Sequence, residues 1–203
     1  MDMITLVDEQ DTPVGCAEKM EVHRRGLLHR AFSIFIFNRE GHLLLQRRAL
    51  CKYHPQGLWA NACCGHPRPG ESTAVAAKRR LYEEMGLVCQ ALVEVHAFLY
   101  RTLVSNELTE FEYDHVLVGG SSVDPMANPD EVLDWEWVTL TDLERDISDH
   151  PEKYTVWFQK IFQQQGIAKL NEWGNLVFAP VISQEGSQPA CSIQSTKHLN
   201  RLD

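Results

Sequence analysis

Long apolar runs are missing from this 203-residue chain. A membrane-spanning helix needs about 18 to 20 consecutive apolar residues, whereas the apolar stretch that starts at Ala31 stops at Asn38 and Arg39. At the start of the chain, Met1 is followed by the polar residue Asp2, and no apolar signal segment is visible. We therefore expect no membrane association and predict a cytoplasmic location.

Positive charge is also in short supply, because 19 Lys and Arg stand against 28 Asp and Glu, for a formal net charge of −9. Contacts with nucleic-acid phosphates need clustered Lys and Arg, so we expect no nucleic-acid partner. An anionic small substrate would need a local basic patch. The scattered cysteines indicate a reducing compartment rather than a disulfide framework: Cys16, Cys51, Cys63, Cys64, Cys89 and Cys191.

The length suits a single domain with a tail, and no internal repeat is visible. Beyond residue 165 the chain becomes polar and rich in Ser and Gln, most clearly over residues 183–203. Such a segment buries too little apolar surface to offset the entropy of ordering it. We predict a folded domain over residues 1–165 and a polar, mobile tail over residues 166–203.

Strand signals dominate the first two thirds of the chain. Residues 31–38 combine β-branched and aromatic side chains, and the turn sequence of residues 38–41 predicts a hairpin. The remaining predicted strands cover residues 4–7, 42–46, 59–63, 88–100, 111–119 and 132–138.

Helix signals are strongest around residues 73–85. Ser72 or Thr73 can cap this helix, and Gly86 stands where a left-handed residue is favoured. Thr141 and Asp142 mark a further helix start, and residues 151–165 have helical apolar spacing. Strands in the centre and helices towards the end predict an α+β fold.

Reactive side chains precede the first of these helices. A free cysteine is usually a small buried apolar residue, but Cys64 lies beside the Gly65-His66 turn and just before a helix N-terminus that favours a thiolate. Cys64 is therefore a candidate nucleophile or proton carrier.

Three histidines, His23, His29 and His66, are candidate metal ligands. Each alone is more typical of a structural or surface histidine. Glu110 and Glu112 lie two apart in a predicted strand, so their side chains leave the same face. Such a carboxylate pair can complete a nitrogen and oxygen cage for a divalent ion; the alternative is an exposed strand face that carries two acids.

Several of these residues together resemble the Nudix box, a loop and helix that hold divalent metals against diphosphates. The matching positions are Gly65, Glu71, Arg79, Leu81, Glu83, Glu84, Gly86 and Leu87. Arg80 departs from the pattern, because Nudix hydrolases carry a metal-binding glutamate at this position. The replacement of this glutamate by Arg80 suits an enzyme that holds a diphosphate without cleaving it. The alternative is a pair of ordinary helix ion pairs, because Arg79 and Glu83, like Arg80 and Glu84, are four residues apart.

The wider pattern is similar to the type I isopentenyl-diphosphate isomerase family, which has a Nudix fold. The resemblance covers about residues 3–165, and its most specific part is Cys64-Gly65-His66-Pro67 joined to the altered Nudix box. Further matching segments are residues 29–33, 47–49, 59–63, 106–112 and 154–158. The resemblance implies an α/β/α sandwich around a mixed sheet.

The resemblance also implies roles for individual residues. Cys64 and Glu112 match the two catalytic groups, Tyr100 matches a hydrogen-bond partner of that glutamate, and Trp157 matches an aromatic that faces the hydrocarbon end of the substrate. The implied ligands of a tightly bound Mn²⁺, Zn²⁺ or Mg²⁺ are His23, His29, His66, Glu110 and Glu112. Glu84 matches the ligand of a Mg²⁺ that bridges to the diphosphate, and the implied basic clamp is Lys19, Arg48, Lys52 and Arg80.

The reaction implied is the interconversion of isopentenyl and dimethylallyl diphosphate through a tertiary carbocation, in isoprenoid precursor biosynthesis. Our hypothesis from the sequence is that Glu112 supplies one proton and that Cys64, as a thiolate, removes the other. Trp157 would stabilise the cation through its π face; the alternative is a core residue of the last helix. The expected partner is a small diphosphate, and the expected state is a monomer or weak homodimer.

Two other functions compete with this hypothesis. A Nudix hydrolase would release phosphate or a monophosphate and would not depend on Cys64; Arg80 counts against it. A non-catalytic metal-binding or regulatory module would bind a divalent ion without moving protons. The joint presence of Cys64, Glu112 and Trp157 counts against that second alternative.

Overall fold

A nine-stranded mixed sheet forms the centre of the computed structural model, which describes residues 2–52, 55–105 and 107–178. The strands are β1 Met3–Val7, β2 Pro13–Glu18, β3 His29–Phe37, β4 Leu43–Arg48, β5 Trp59–Asn61, β6 Cys63–Gly65, β7 Val93–Leu103, β8 Thr109–Gly120 and β9 Val132–Val138. The helices are α1 Lys19–Arg25, α2 Thr73–Met85, α3 Leu140–Asp149 and α4 Val156–Phe178, and a 3₁₀ turn covers Pro151–Lys153.

The pairing of β3 with β8 organises the sheet. These two strands run parallel, which requires a long crossover between them, while β7 pairs antiparallel with the other edge of β8. Strands β1, β4 and β6 also pair with β3, and β9 pairs with β4. In the parallel register His29, the first residue of β3, lies opposite Glu112, the fourth residue of β8, so two segments distant in the chain meet at one end of the sheet.

Helices cover both faces of the sheet. On one face, Leu81 and Met85 of α2 belong to an apolar cluster with Ile34 of β3. On the other face, Phe158 of α4 belongs to a second cluster with Phe35. Successive residues of β3 point to opposite faces, so its nearly continuous apolar sequence reflects burial on both sides. The expected α+β fold, with a mixed sheet between helical layers, is confirmed.

Helix α2 begins and ends where the sequence predicts. The Ser72 side chain accepts a hydrogen bond from the Val75 N–H at 3.4 Å, and Gly86 has φ 64° and ψ 13° while its N–H donates to the Tyr82 carbonyl. A Cβ atom at Gly86 would lie 2.6 Å from the carbonyl oxygen of Met126. Only glycine combines this left-handed conformation with so close an approach.

Two elements near the start of the chain have no counterpart in the sequence prediction. Strand β2 is largely exposed, so it lacks the apolar alternation that signals a half-buried strand. Helix α1 has seven residues, and Val22 and His23 are its buried members. This helix carries Lys19 and His23, so part of the predicted site lies on an element that the pattern did not reveal.

The end of the folded chain also differs from the expectation. Gly166 has φ 70°, which interrupts α4, but helix continues to Phe178 and buries Leu170 and Trp173 against the core. These two apolar side chains lie three apart, so they share a helix face. The polar tail expected from residue 166 therefore does not describe residues 166–178. Residues 179–203 lie outside the described residues, and the division into domain and tail stays a prediction.

Within the described ranges, helices are too short or too polar to cross a membrane. The cysteines at positions 16, 51, 63, 64 and 89 are free thiols, and Cys191 lies outside the described residues. The cytoplasmic location stays a prediction.

Candidate active site

A cavity of about 580 Å³ opens at the end of the sheet where β3, β6 and β8 meet helix α2. It brings together side chains that the sequence singled out from six different segments. The predicted site residues that line it are Lys19, Arg48, Lys52, Cys64, His66, Arg80, Glu84, Glu110, Glu112 and Trp157. The other three, His23, His29 and Tyr100, are buried behind this wall.

Three imidazoles and one carboxylate form a cluster at one end of the cavity. One nitrogen or oxygen atom from each of His23, His29, His66 and Glu112 lies within 4.8 Å of all the others. The Nε2 atoms of His29 and His66 are 3.2 Å apart, and the Nε2 of His66 is 3.1 Å from Oε1 of Glu112. Four potential ligand atoms therefore converge on one point.

The backbone sets the orientation of two of these imidazoles. Nδ1 of His23 lies 2.7 Å from the Lys19 carbonyl, and Nδ1 of His29 lies 2.9 Å from the Leu27 carbonyl. A carbonyl only accepts hydrogen bonds, so Nδ1 carries the proton in each ring and Nε2 faces the centre of the cluster. Backbone acceptors of this kind orient metal-bound histidines in proteins.

Glu110 and Glu112 leave the same face of β8, as their spacing predicts. Glu110 lies outside the four-residue cluster but beside it, since its Oε2 is 3.2 Å from Nε2 of His23. The hydroxyl of Tyr100, the cross-strand neighbour of Glu112 on β7, donates to Glu112 Oε2 at 2.6 Å. The two carboxylates thus contact different histidines, and Tyr100 holds the one nearer the centre.

Burial and these contacts shift the pKa values within the cluster. Burial, helped by the neighbouring His29, holds the pKa of His66 well below its ordinary value. Burial would lower the pKa of His23, but the carboxylate of Glu110, 3.2 Å from its Nε2, raises that pKa above its ordinary value. Burial would raise the pKa of Glu112, yet the contact with His29 and the hydrogen bond from Tyr100 lower it. His66 is therefore a neutral imidazole and Glu112 an ionised carboxylate.

The donor set fits a divalent metal ion. Neutral imidazole nitrogens and ionised carboxylates are the ligand forms that metals require, and buried carboxylates facing buried imidazoles need a compensating charge. Three nitrogen donors with one or two carboxylates suit a transition ion of the Zn²⁺ or Mn²⁺ type better than an ion that prefers oxygen alone. His23, His29, His66 and Glu112 could hold such an ion, with Glu110 next to it.

Cys64 lies at the cavity wall on β6, and its sulfur faces an acceptor. The thiol donates to Oδ1 of Asn61 at 3.2 Å. The amide group of Asn61 cannot turn to offer a donor, because its Nδ2 donates to the carbonyls of Ile34 at 3.1 Å and Cys63 at 2.9 Å. An oxygen held against the sulfur favours the thiol over the thiolate.

A buried acid lies on the other side of Cys64. The Ser33 hydroxyl is 3.7 Å from the Cys64 sulfur and donates to Oδ2 of Asp114 at 2.8 Å. Burial, together with Asp114, raises the pKa of Cys64 to about 12. Burial and the neighbouring Glu112 in turn raise the pKa of Asp114 well above its ordinary value. Burial and the nearby Asp114 therefore favour the protonated form of Cys64 at neutral pH.

Four charged side chains alternate in sign at the opposite end of the cavity. Arg80 pairs with Glu84 and lies 3.1 Å from Glu131, while Lys52 pairs with Glu131 and lies 3.7 Å from Glu84. Glu84 is also held by Nε2 of Gln46 at 2.9 Å. Lys19 and Arg48 line the same cavity, so all four predicted clamp cations are brought together.

Trp157 connects the two ends of the cavity. The indole lies near the start of α4, and the guanidinium carbon of Arg48 is 5.4 Å from the ring centroid. Arg48 itself is tied by its Nε to the Pro55 carbonyl at 2.8 Å. One aromatic ring therefore meets a clamp cation and also lines the cavity that Cys64 and Glu112 share.

Sequence reasoning assigned no role to several residues of this site. Asn61 and Ser33 stand inside segments that carried the family resemblance. The pairing of β3 with β6 sets Ser33 opposite Cys64, and the Ile34 carbonyl on β3 fixes the Asn61 amide beside the sulfur. Asp114 lies two residues beyond Glu112, in a stretch where acids are common, and its contact with Ser33 depends on the parallel register of β3 and β8. Glu131 stands just before β9 and carried no local signal.

Comparison with known proteins places this chain in a family. The model of the NUDIX domain matches residues 27–159. The chain is 49% identical over 176 residues to isopentenyl-diphosphate Delta-isomerase 2 of Photorhabdus laumondii, which covers 87% of this chain and 99% of that protein. It is 53% identical over 156 residues to isopentenyl-diphosphate Delta-isomerase 2 of Aromatoleum aromaticum, covering 77% and 82% of the two chains.

Solved structures support the same fold at much lower sequence identity. The crystal structure of DR0079 from Deinococcus radiodurans superposes with a TM-score of 0.66 at 22% identity, covering 80% of this chain and 98% of that one. A MutT protein from Methanosarcina mazei gives a TM-score of 0.54 at 20% identity, with 68% and 91% covered. At these identities the similarity concerns the fold alone.

Proposed function

The chain belongs to the NUDIX domain family and, within it, to the isopentenyl-diphosphate Delta-isomerases, and from this we propose that it interconverts isopentenyl and dimethylallyl diphosphate. One observation carries the proposal: a thiol and a carboxylate, Cys64 and Glu112, line one cavity whose other end collects Lys19, Arg48, Lys52 and Arg80. Proton transfer at carbon needs the first pair, and a diphosphate needs the cations.

The metal site of this proposal is the histidine cluster. His23, His29, His66 and Glu112 would hold a divalent ion, with Glu110 as a further oxygen donor. When bound, the ion would supply positive charge that fixes the carboxylates and tunes the acidity of Glu112. Elemental analysis of the purified protein would decide between Zn²⁺, Mn²⁺ and Mg²⁺.

The diphosphate site is the basic end of the cavity. Guanidinium groups bind phosphate oxygens through paired hydrogen bonds, and ammonium groups add compact charge. Glu84 is 2% exposed and already contacts Arg80 and Lys52, which suits a carboxylate that shares a Mg²⁺ with the diphosphate. The proposed substrate is thus a small diphosphate. The monomer or weak homodimer stays a prediction.

For the acid and base of the reaction we propose the assignment opposite to the hypothesis made from sequence. Asn61 and burial support a protonated Cys64, and Tyr100 with the histidines supports an ionised Glu112. We therefore assign Cys64 as the acid and Glu112 as the base for conversion of isopentenyl diphosphate, the reverse of the sequence hypothesis. Local sequence could not reveal the acceptor held against the sulfur.

The proposed reaction moves one proton onto carbon and removes another. The C=C electron pair of isopentenyl diphosphate takes the Cys64 proton at the terminal carbon and leaves a tertiary carbocation and a thiolate. The Glu112 carboxylate then removes a proton from the allylic carbon, and that C–H electron pair forms the new double bond. Proton exchange with water, or the reverse reaction, restores both groups. The π face of Trp157 would stabilise the cation by about 2 kcal/mol in a dry site.

Deuterium incorporation tests the proposed function. The metal-loaded protein, incubated with isopentenyl diphosphate and Mg²⁺ in D₂O, should form deuterated dimethylallyl diphosphate, because the transferred proton comes from an exchangeable group. Phosphate release should be followed in the same sample. Release of phosphate without isomerisation would support a hydrolase, and absence of deuterated product from folded, metal-loaded protein would reject the isomerase.

A further inference from the structure

Glu131 occupies the end of the cavity where the diphosphate is proposed to bind. Its carboxylate lines the cavity, pairs with Lys52 through Oε2 and lies 3.1 Å from Nη2 of Arg80 through Oε1. Each oxygen thus meets a different clamp cation. A diphosphate uses its oxygens in the same way, so Glu131 and the substrate compete for the same two partners.

The two carboxylates that pair with clamp cations, Glu84 and Glu131, differ in burial and in their other contacts. The Glu84 side chain is 2% exposed and also accepts a hydrogen bond from Gln46. If Arg80 and Lys52 moved away from it, Glu84 would be left as a buried charge without a compensating cation. The Glu131 side chain is 23% exposed. Its carboxylate pairs with Lys52 and Arg80. Because this carboxylate is partly exposed, it can turn towards solvent when another anion takes the two cations.

The backbone keeps Glu131 within reach of the clamp. The Ala49 N–H donates to the Glu131 carbonyl at 3.0 Å, and the Glu131 N–H donates to the Asn128 carbonyl at 3.0 Å. These bonds tie the residue to the segment after β4 and leave its side chain to rotate. A fixed main chain with a half-buried carboxylate is suited to reversible contact with the cations.

We propose that Glu131 is an internal substitute for the diphosphate: it pairs with Lys52 and Arg80 in the free protein and is displaced when the substrate binds. This inference rests on the diphosphate clamp of the proposed function. Glu131 is a positioning residue, since it orders the two cations and keeps them from repelling each other when the substrate is absent. Its displacement costs part of the binding energy, which limits the affinity for the substrate and its product.

The test is pyrophosphate binding by wild type and Glu131→Gln, measured by calorimetry in buffer with and without Mg²⁺. Removing the competing charge should tighten binding of inorganic pyrophosphate about tenfold under both conditions. In the isomerase assay the KM for isopentenyl diphosphate should fall while kcat does not rise. Because Gln can still hydrogen-bond both cations, Glu131→Ala serves as a second variant and should bind pyrophosphate at least as tightly.

Asp130→Asn is the matched control. Asp130 is the residue before Glu131, it carries the same charge, and its side chain is exposed and does not line the cavity. Its pyrophosphate affinity should equal that of wild type. If both Glu131 variants bind pyrophosphate no more tightly than wild type without Mg²⁺, the inference is overturned. It is also overturned if the variants bind pyrophosphate more weakly only when Mg²⁺ is present, because Glu131 would then be a metal ligand. Tighter binding by a protein that fails the deuterium test would reject the function and leave this inference standing.

Discussion

The two ends of the cavity use charge in opposite ways. At the histidine end the side chains are short and buried, and backbone carbonyls orient His23 and His29. At the clamp end, long side chains of alternating sign hold one another, with Lys52 and Glu131 partly exposed. Short buried groups keep one geometry, whereas long, partly exposed ones can exchange partners.

This contrast matches the demands of the proposed chemistry. A proton must travel to and from carbon over a short, defined path, so the acid, base and their supports gain from rigidity. A diphosphate must enter and leave at every turnover, so its binding groups gain from partners that can be exchanged. The histidine end, where C–H bonds form and break, is therefore the rigid part of the cavity, and the clamp end, where the diphosphate binds, is the adaptable part.

The largest expected effect is at the rigid end. Replacing Cys64 with Ala removes the proposed acid, and kcat should fall by about 10³-fold, within the range for a lost acid or base. Pyrophosphate affinity should not change, because the clamp lies at the other end of the cavity. Steady-state kinetics and calorimetry measure the two quantities. The control is Cys16→Ser, an exposed thiol on β2; activity retained by Cys64→Ala would remove Cys64 from the mechanism.

Removing one imidazole of the histidine cluster should weaken the binding of the divalent ion. His29→Asn deletes one of the converging nitrogen donors, and we expect the affinity for the bound divalent ion to fall at least about 100-fold. Elemental analysis after dialysis against a chelator checks this. His42→Asn, which alters a histidine outside the cavity, is the control. An unchanged metal content in His29→Asn would contradict the proposed ligand set.

The smallest expected effect lies at the outer rim of the clamp end. Glu71 accepts two hydrogen bonds from Arg79, both at 2.8 Å, and this pairing lowers the pKa of Glu71 from 4.5 to about 2. A lowered pKa stabilises the fold above the unfolded value, and that stabilisation is lost as the pH falls from about 4.5 towards 2. Glu71→Gln should therefore lower the free energy of unfolding by about 1 kcal/mol at pH 7, after allowance for solvent screening.

Urea unfolding at pH 7, 5, 4 and 3 measures this prediction. The gap between wild type and Glu71→Gln should narrow as the pH falls below 4.5, while kcat at pH 7 stays the same because Glu71 does not line the cavity. Glu144→Gln, on the exposed side of α3, controls for loss of a surface charge. A gap that is equally large at pH 3 would show that the ion pair is not its cause.

Local patterns predicted the elements whose stability is local. Helix α2 and its end at Gly86 follow from a capping side chain, an apolar stripe and a left-handed glycine, all within 15 residues. The common face of Glu110 and Glu112 follows from the two-residue period of a strand. Helix α1 has seven residues and an exposed strand before it, so its formation depends on packing that no local pattern records.

Sequence alone determined which groups this protein could use: a thiol, three imidazoles, a pair of carboxylates on one strand face, and Arg80 in the position of a hydrolase glutamate. Residue type and spacing are properties of the chain itself. Only the tertiary structure decided which groups surround Cys64, because carbonyls of two strands hold the Asn61 amide against its sulfur. The tertiary structure also decided that Glu131 pairs with Lys52 and Arg80, which are about 80 and 50 residues away from it in the chain. Charges this distant in sequence meet only when the sheet has formed.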